Sequence, residues 1–226
     1  MSKRFLLILV GIVLGLGLLF WFTSGDKAGA PTTSNTQPTN HVEGQGKTGV
    51  TLIEYGDYQC PVCYSYYPVL KEVANKFSQD IFFQFRNLPL TQIHQNAFAS
   101  ARAAEAADKQ DKFWEMHGML YENQDPQGQS GWVASKDPLS YFTQFAQQIG
   151  LNVDQFKQDY SSAEVNALIN ADLAEFNKTG QQLSTPSFFI DGKHVDNSQL
   201  VDSNGPSVDK FTEVINTAIK DKNNSQ

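Results

Sequence analysis

Val50-Thr51-Leu52-Ile53-Glu54-Tyr55 predicts a short strand, and Gly56-Asp57-Tyr58-Gln59 then turns the chain into a helix that begins at Cys60-Pro61-Val62-Cys63. Proline suits the first helical position, because the N–H it lacks would have no partner inside the helix. Tyr67, Leu70, Val73, Ala74 and Phe77 follow at helical spacing, with Pro68 among them expected to kink the helix. A second strand fits Ile81 to Phe85. The unit is therefore strand, helix, strand, with the cysteine pair at the helix start.

These two are the chain's only cysteines, so whatever they do, they do as a pair. Disulfide exchange needs one thiolate to attack and a second thiol to resolve the mixed disulfide. Free N–H groups and the dipole at a helix start favour negative charge on the first sulfur, which makes Cys60 the nucleophile and Cys63 its partner. The alternatives for a lone C-x-x-C are a metal half-site and a structural disulfide. Zinc usually wants a second ligand pair at similar spacing, whereas the four histidines, His41, His94, His117 and His194, are scattered. Copper delivery favours a nearby His or Met, and none lies within the motif. A bond closing so small a loop adds little stability.

Downstream, Gln95 to Asn123 predicts one or two helices, Ala-rich at first and then carrying Phe113, Met116, His117 and Leu120 on one face. Asp137-Pro138 opens a helix that Gly150 ends, and Ser161 with Glu164 forms a capping box for another, which runs to Gly180. This makes a helical block over about 93–180. Ser187 to Ile190 returns to strand, Asp191-Gly192 signals a hairpin into Lys193-His194-Val195, and Ser207 caps a last amphipathic helix. The fold class is α/β.

Upstream, Phe5 to Phe22 is free of charge and follows Lys3 and Arg4, as expected of a helix crossing the hydrocarbon layer with its N-terminus inside. Residues 1–23 are thus expected to be a membrane anchor, with a cleaved signal peptide as the competing reading because Ala28-Gly29-Ala30 resembles a cleavage site. Residues 24–49, poor in large apolar side chains, are expected to be a flexible tether, and 50–222 the folded domain. A net charge of −7 without clustered Lys or Arg argues against nucleic acid as a partner.

Four strings together resemble the DsbA family of bacterial disulfide oxidoreductases, in its anchored thioredoxin-like branch. They are Glu54-Tyr55-Gly56-Asp57-Tyr58-Gln59-Cys60-Pro61-Val62-Cys63, Phe85-Arg86-Asn87-Leu88-Pro89-Leu90, Phe113-Trp114-Glu115-Met116-His117 and Thr185-Pro186-Ser187-Phe188-Phe189-Ile190-Asp191-Gly192. The resemblance implies a thioredoxin-like fold with an inserted helical subdomain, preceded by the transmembrane helix. It also implies that Pro186 is a cis-proline facing the cysteines and that the Thr185 backbone receives a peptide, with Pro61 and Val62 beside it as substrate-binding residues. Glu54 takes the place of a buried carboxylate that moves protons near the resolving cysteine; a surface acid is its alternative.

The implied activity is donation of the Cys60–Cys63 disulfide to reduced or unfolded exported proteins, followed by reoxidation by a membrane redox partner. No cofactor beyond that disulfide and no metal are expected, and the domain is expected to be extracytoplasmic on a single-pass membrane protein. A reductase or isomerase of the same fold, or a metal-binding surface module, are the alternatives. The best-known oxidising members carry Pro-His between the cysteines. Here Pro61-Val62 leaves no imidazole within the motif to assist the Cys60 thiolate. His94 and His117 are expected to pack or cap helices, Trp114 and Met116 to lie in the core, and Tyr55, Tyr58 and Tyr64 to pack or to form an apolar lip.

Overall fold

The computed structural model describes residues 36–225. The expected anchor over 1–23 and the first part of the expected tether, 24–35, lie outside the described residues. Among the described residues, no helix is long and apolar enough to cross a membrane.

A five-stranded sheet in the order β1-β3-β2-β4-β5 forms the frame. Its strands are β1 (His41–Glu43), β2 (Val50–Gly56), β3 (Ile81–Asn87), β4 (Ser187–Ile190) and β5 (Lys193–Val195). β2 and β3 run parallel, joined by the crossover helix α1 (Pro61–Lys76), while the β1–β3, β2–β4 and β4–β5 pairs are antiparallel. Glu54 stands in the middle of this sheet, opposite Phe85 on β3 and Phe188 on β4.

Between β3 and β4 the chain makes the helical block: α2 (Ala97–Asp108), α3 (Phe113–Glu122), the single turn α4 (Gly131–Ala134), α5 (Pro138–Gln148), α6 (Val153–Tyr160) and α7 (Ala163–Lys178). A short ribbon of β6 (Val201–Asp202) and β7 (Gly205–Pro206) precedes the last helix, α8 (Val208–Asn224). Helix α7 starts one residue later than its capping box implied: the Ser162 hydroxyl, not that of Ser161, accepts the Val165 N–H at 3.1 Å. Helix α6 carries only Phe156 and Tyr160 as buried residues, too short an apolar pattern to stand out in the sequence.

Alternation along β2 divides the core. Leu52 packs with Tyr66, Leu70 and Val73 of α1 and with Phe211 and Ile215 of α8 on one face of the sheet. Tyr55 points to the other face, against Leu88, Phe176 of α7 and Phe189. A third cluster joins Tyr58, Phe85 and both cysteines to the helical block through Met116, Leu120 and Trp132. The turn that leads into Cys60 is thereby clamped between sheet and insertion.

The expected tether needs correction where it is described. Residues 41–43 are β1, paired with β3 in the register His41 to Phe85, and the folded domain begins well before Val50. The cause is long-range pairing rather than local apolarity. His41 is buried, stacks on Phe113 at 3.5 Å between ring centroids, and joins Glu105 at 2.8 Å and Asp108 at 3.3 Å. The Thr39 N–H and hydroxyl both donate to the Asp172 carboxylate at 2.7 Å.

Candidate active site

Cys60 is the N-cap residue of α1, with extended backbone angles and no side-chain cap of its own. Its N–H donates to Asp57 O at 3.0 Å, closing the turn that delivers the chain into the helix. Gln124 of the insertion donates to the carbonyls of both Tyr58 and Cys60, which ties this turn to the helical block. The helix runs on through Pro68, which leaves the Tyr64 carbonyl without its usual helical donor.

The two cysteines, both free thiols, are unequal. A hydrogen bond from the Cys63 thiol, with a further one from the Thr185 side chain and N–H donors at Cys63 and Val62, holds the Cys60 thiol down to about 6 against the opposing effect of burial. Burial pushes the Cys63 thiol well above the ordinary cysteine range, and its hydrogen bond to the Cys60 sulfur adds to the rise. Cys63 is fully enclosed, whereas Pro61 and Val62 are exposed beside it. The sulfur that ionises readily belongs to the cysteine that keeps some exposure, at 5%.

Thr185 and Pro186 arrive from the loop before β4. The Thr185–Pro186 bond is cis, and the Cys60 thiol donates to Thr185 O at 3.6 Å. Thr185 and the Val62 N–H thus meet the Cys60 sulfur, and Val62 is about half exposed, at 49%.

Glu54 is 2% exposed and its Oε1 has no hydrogen-bond partner. Burial, with the charge on Cys60 as a lesser cause, raises its carboxyl to about 8, so it holds its proton at neutral pH. The acid faces inward, not to solvent. A cleft of about 370 Å³ between α1 and α3 reaches it, with Tyr67, Lys71 and Glu122 among its walls. A larger groove of about 810 Å³, between α8 and the β4–β5 hairpin, borders neither cysteine.

The tyrosines and histidines divide by burial. Tyr55 and Tyr58 are core residues rather than a lip, and Tyr64 is half-buried. His117 is buried amid Tyr58, Phe85 and Trp114, and desolvation lowers it to about 3, so it is neutral. Met116 is fully buried and Trp114 packs partly buried against two core clusters. His94, expected to pack or cap a helix, instead meets the buried Asp57 carboxylate, Nδ1 to Oδ2, at 2.7 Å. The sequence marks Asp57 only as part of the turn, although an acid three residues before a helix-starting cysteine is a local signal for a side chain folded back onto that turn. Among the described residues, His41, Glu105 and Asp108 are the one set of three metal-ligand types with atoms within 4.8 Å of one another. Both His41 ring nitrogens there face carboxylates, and burial does not prevent its pKa from rising to about 9 under the hydrogen bonds of Asp108 and Glu105.

The thioredoxin family model matches residues 36–210. Among solved structures, the fold is similar to oxidised BdbD from Bacillus subtilis (TM-score 0.65, 23% identity, 81% of this chain and 96% of that one). It is also similar to a thioredoxin-like oxidoreductase from Silicibacter pomeroyi (TM-score 0.61, 24% identity, 81% and 94%), and to alpha-DsbA1 from Wolbachia pipientis (TM-score 0.63, 20% identity, 83% and 94%). A curated relative in Salinispora arenicola, named Na(+)/H(+) antiporter NhaA 1, is 35% identical over 158 residues, 68% of this chain and 22% of that protein. A Mycobacterium protein of the same name is 32% identical over 175 residues, 76% of this chain and 27% of that protein. The chain therefore spans about a quarter of the length of these relatives, and the segment they share with it says nothing of ion transport here. With a family model matched over most of its length, the chain belongs to the thioredoxin family, and it shares its fold with the solved oxidoreductase structures.

Proposed function

We propose that this domain exchanges disulfides with other proteins, and that it works as an oxidant of newly exported chains outside the cytoplasmic membrane. The observation that carries this reading is the inequality of the two sulfurs: Cys60 acidic and 5% exposed, Cys63 fully enclosed and basic, with a protonated Glu54 acting on it.

In the oxidised enzyme a client thiolate attacks the Cys60 sulfur. The Cys60–Cys63 bond breaks, a client–Cys60 disulfide forms, and Cys63 leaves with the electron pair. Glu54 stands near to give the leaving sulfur its proton, and the cleft at Glu54 lets solvent restore it. A second client thiolate then attacks the client sulfur of the mixed disulfide and releases Cys60 as a thiolate. Two electrons pass from the client dithiol to the enzyme, and no bound cofactor is needed. Stabilising the Cys60 thiolate favours the reduced enzyme and so drives oxidation of the client. Thr185, Pro61 and Val62 are the surface on which the client peptide rests. A membrane oxidant must then take up the two electrons, and the apolar run Phe5 to Phe22 supports a domain held at the membrane.

The test is trapping. With Cys63→Ala, the reaction stops after the first step, and mixed disulfides between Cys60 and exported proteins accumulate on non-reducing gels. Cys60→Ala traps none. Redox state in cells gives the direction: a pair found mainly oxidised by alkylation trapping supports the oxidant, and a pair found mainly reduced supports a reductase. If neither variant captures a partner, the exchange reading fails.

A further inference from the structure

Asp57 is a buried carboxylate at the turn before the cysteines, and both of its carboxylate oxygens are engaged. Its Oδ1 accepts the Gln59 N–H at 2.8 Å, and its Oδ2 accepts the Leu90 N–H at 2.9 Å and meets His94 Nδ1 at 2.7 Å. Its backbone carbonyl receives the Cys60 N–H. The loop carrying His94 is pinned to the same turn a second time, where the Asn96 N–H donates to Gln59 Oε1 at 2.6 Å. Two independent contacts thus lay residues 94–96 alongside residues 57–60. The His94 side chain keeps one edge open to solvent, at 15% exposed, while the Asp57 carboxylate is wholly enclosed.

We propose that His94, held by Asp57 as an imidazolium, supplies from a distant loop, at the turn that ends in Cys60, the positive charge that the motif itself lacks at Val62. Asp57 is then a positioning residue, which acts through His94, and His94 sets the charge that the attacking sulfur meets. The inference rests on the exchange reading above, which it deepens by naming what tunes the nucleophile.

The chemistry is reciprocal. A carboxylate sealed from water and already bonded to two backbone N–H groups favours the doubly protonated ring, since a charged donor strengthens its third bond. His94 is accordingly raised above the ordinary histidine value, first by the Asp57 hydrogen bond, with the charges of Asp57 and Cys60 also contributing against burial. Those two groups are the charges that bear on it. An imidazolium that feels Cys60 must in turn favour the Cys60 thiolate by the same interaction. It thereby stabilises the reduced form of the pair.

The experiment titrates both partners. Thiolate absorbance at 240 nm in reduced protein is expected to show the Cys60 midpoint about one pH unit higher in His94→Gln than in wild type. His94→Lys, which keeps a positive charge, is expected to restore most of the difference, and Asp57→Asn to move the midpoint in the same direction as His94→Gln. The equilibrium with glutathione at pH 7 is expected to shift roughly fivefold toward oxidised protein in His94→Gln. Unmodified protein supplies a measurement that depends on no variant folding: the His94 ring, followed by NMR, should titrate at higher pH in the reduced form, with its thiolate, than in the oxidised form. Equal His94 midpoints in the two redox forms, or an unchanged Cys60 midpoint in a folded His94→Gln protein, would overturn the proposal. If wild type still oxidises a dithiol peptide in that case, only the role of His94 falls; if it oxidises none, the exchange reading falls with it.

Discussion

Replacing Glu54 by glutamine is expected to stabilise the domain while slowing its chemistry, with a pH dependence set by one carboxyl. In the folded chain that carboxyl ionises at about 8, against 4.5 when solvated, mainly because it is sealed from water. Its folded value lies above its unfolded value. The native state therefore keeps a proton that the unfolded chain releases, and stability is lost as pH rises from the lower value through the higher. At about 1.36 kcal/mol per pH unit, the loss is close to zero at pH 4, about 3 kcal/mol at pH 7 and between about 4 and 5 kcal/mol above pH 8.

Glutamine keeps the shape and polarity of the protonated acid but has no proton to lose. Urea denaturation of both reduced proteins from pH 4 to 9 should give curves that coincide at the acid end and separate by about 3 kcal/mol at pH 7, with Glu54→Gln the more stable. In oxidised protein, where Cys60 carries no charge, the separation should be somewhat smaller. Meanwhile, loss of the proton donor should slow disulfide exchange by about 10²-fold. Parallel stability curves at all pH values would refute the burial argument, and unchanged exchange kinetics would return Glu54 to a structural residue.

Iodoacetamide should modify Cys60 with a rate that rises through about pH 6, following its thiolate, while Cys63 stays inert in the folded protein; mass spectrometry of the labelled peptides separates them, and faster labelling of Cys63 would contradict the assignment. His41→Ala should cost about 3–5 kcal/mol by leaving buried Glu105 without its charged partner. In the wild type the His41 value is raised from 6.5 to about 9, so its contribution is complete below pH 6.5 and is lost as pH rises through about 9; thermal melts across that range should show a loss that His41→Ala lacks. Protease added to intact spheroplasts should remove the domain if Lys3 and Arg4 hold the N-terminus inside, whereas protection behind a sealed membrane would reverse the topology.

Features set by neighbouring residues were legible in the sequence because their causes are local. Pro61 and Pro138 begin helices, since each lacks only a donor that a first turn leaves unused. Asp191 and Gly192 make the β4–β5 turn, both at positive φ of 46° and 77°. The unequal sulfurs followed from the same reasoning, because the N–H groups and dipole at a helix start favour negative charge on the cap residue, although Cys60 itself is buried rather than exposed. Tertiary structure alone decided the rest. His41-Val42-Glu43 has no strand pattern of its own and becomes β1 only because the β3 edge and Phe113 are there to receive it. Which face of β2 carries Glu54 depends on the register against both neighbouring strands, and a slip of one residue would have put it on the opposite face. Asp57 and His94 lie thirty-seven positions apart, and nothing in either segment specifies the other. Their pairing, like the charge it places near Cys60, exists only once the sheet and the helical insertion have closed around the active-site turn.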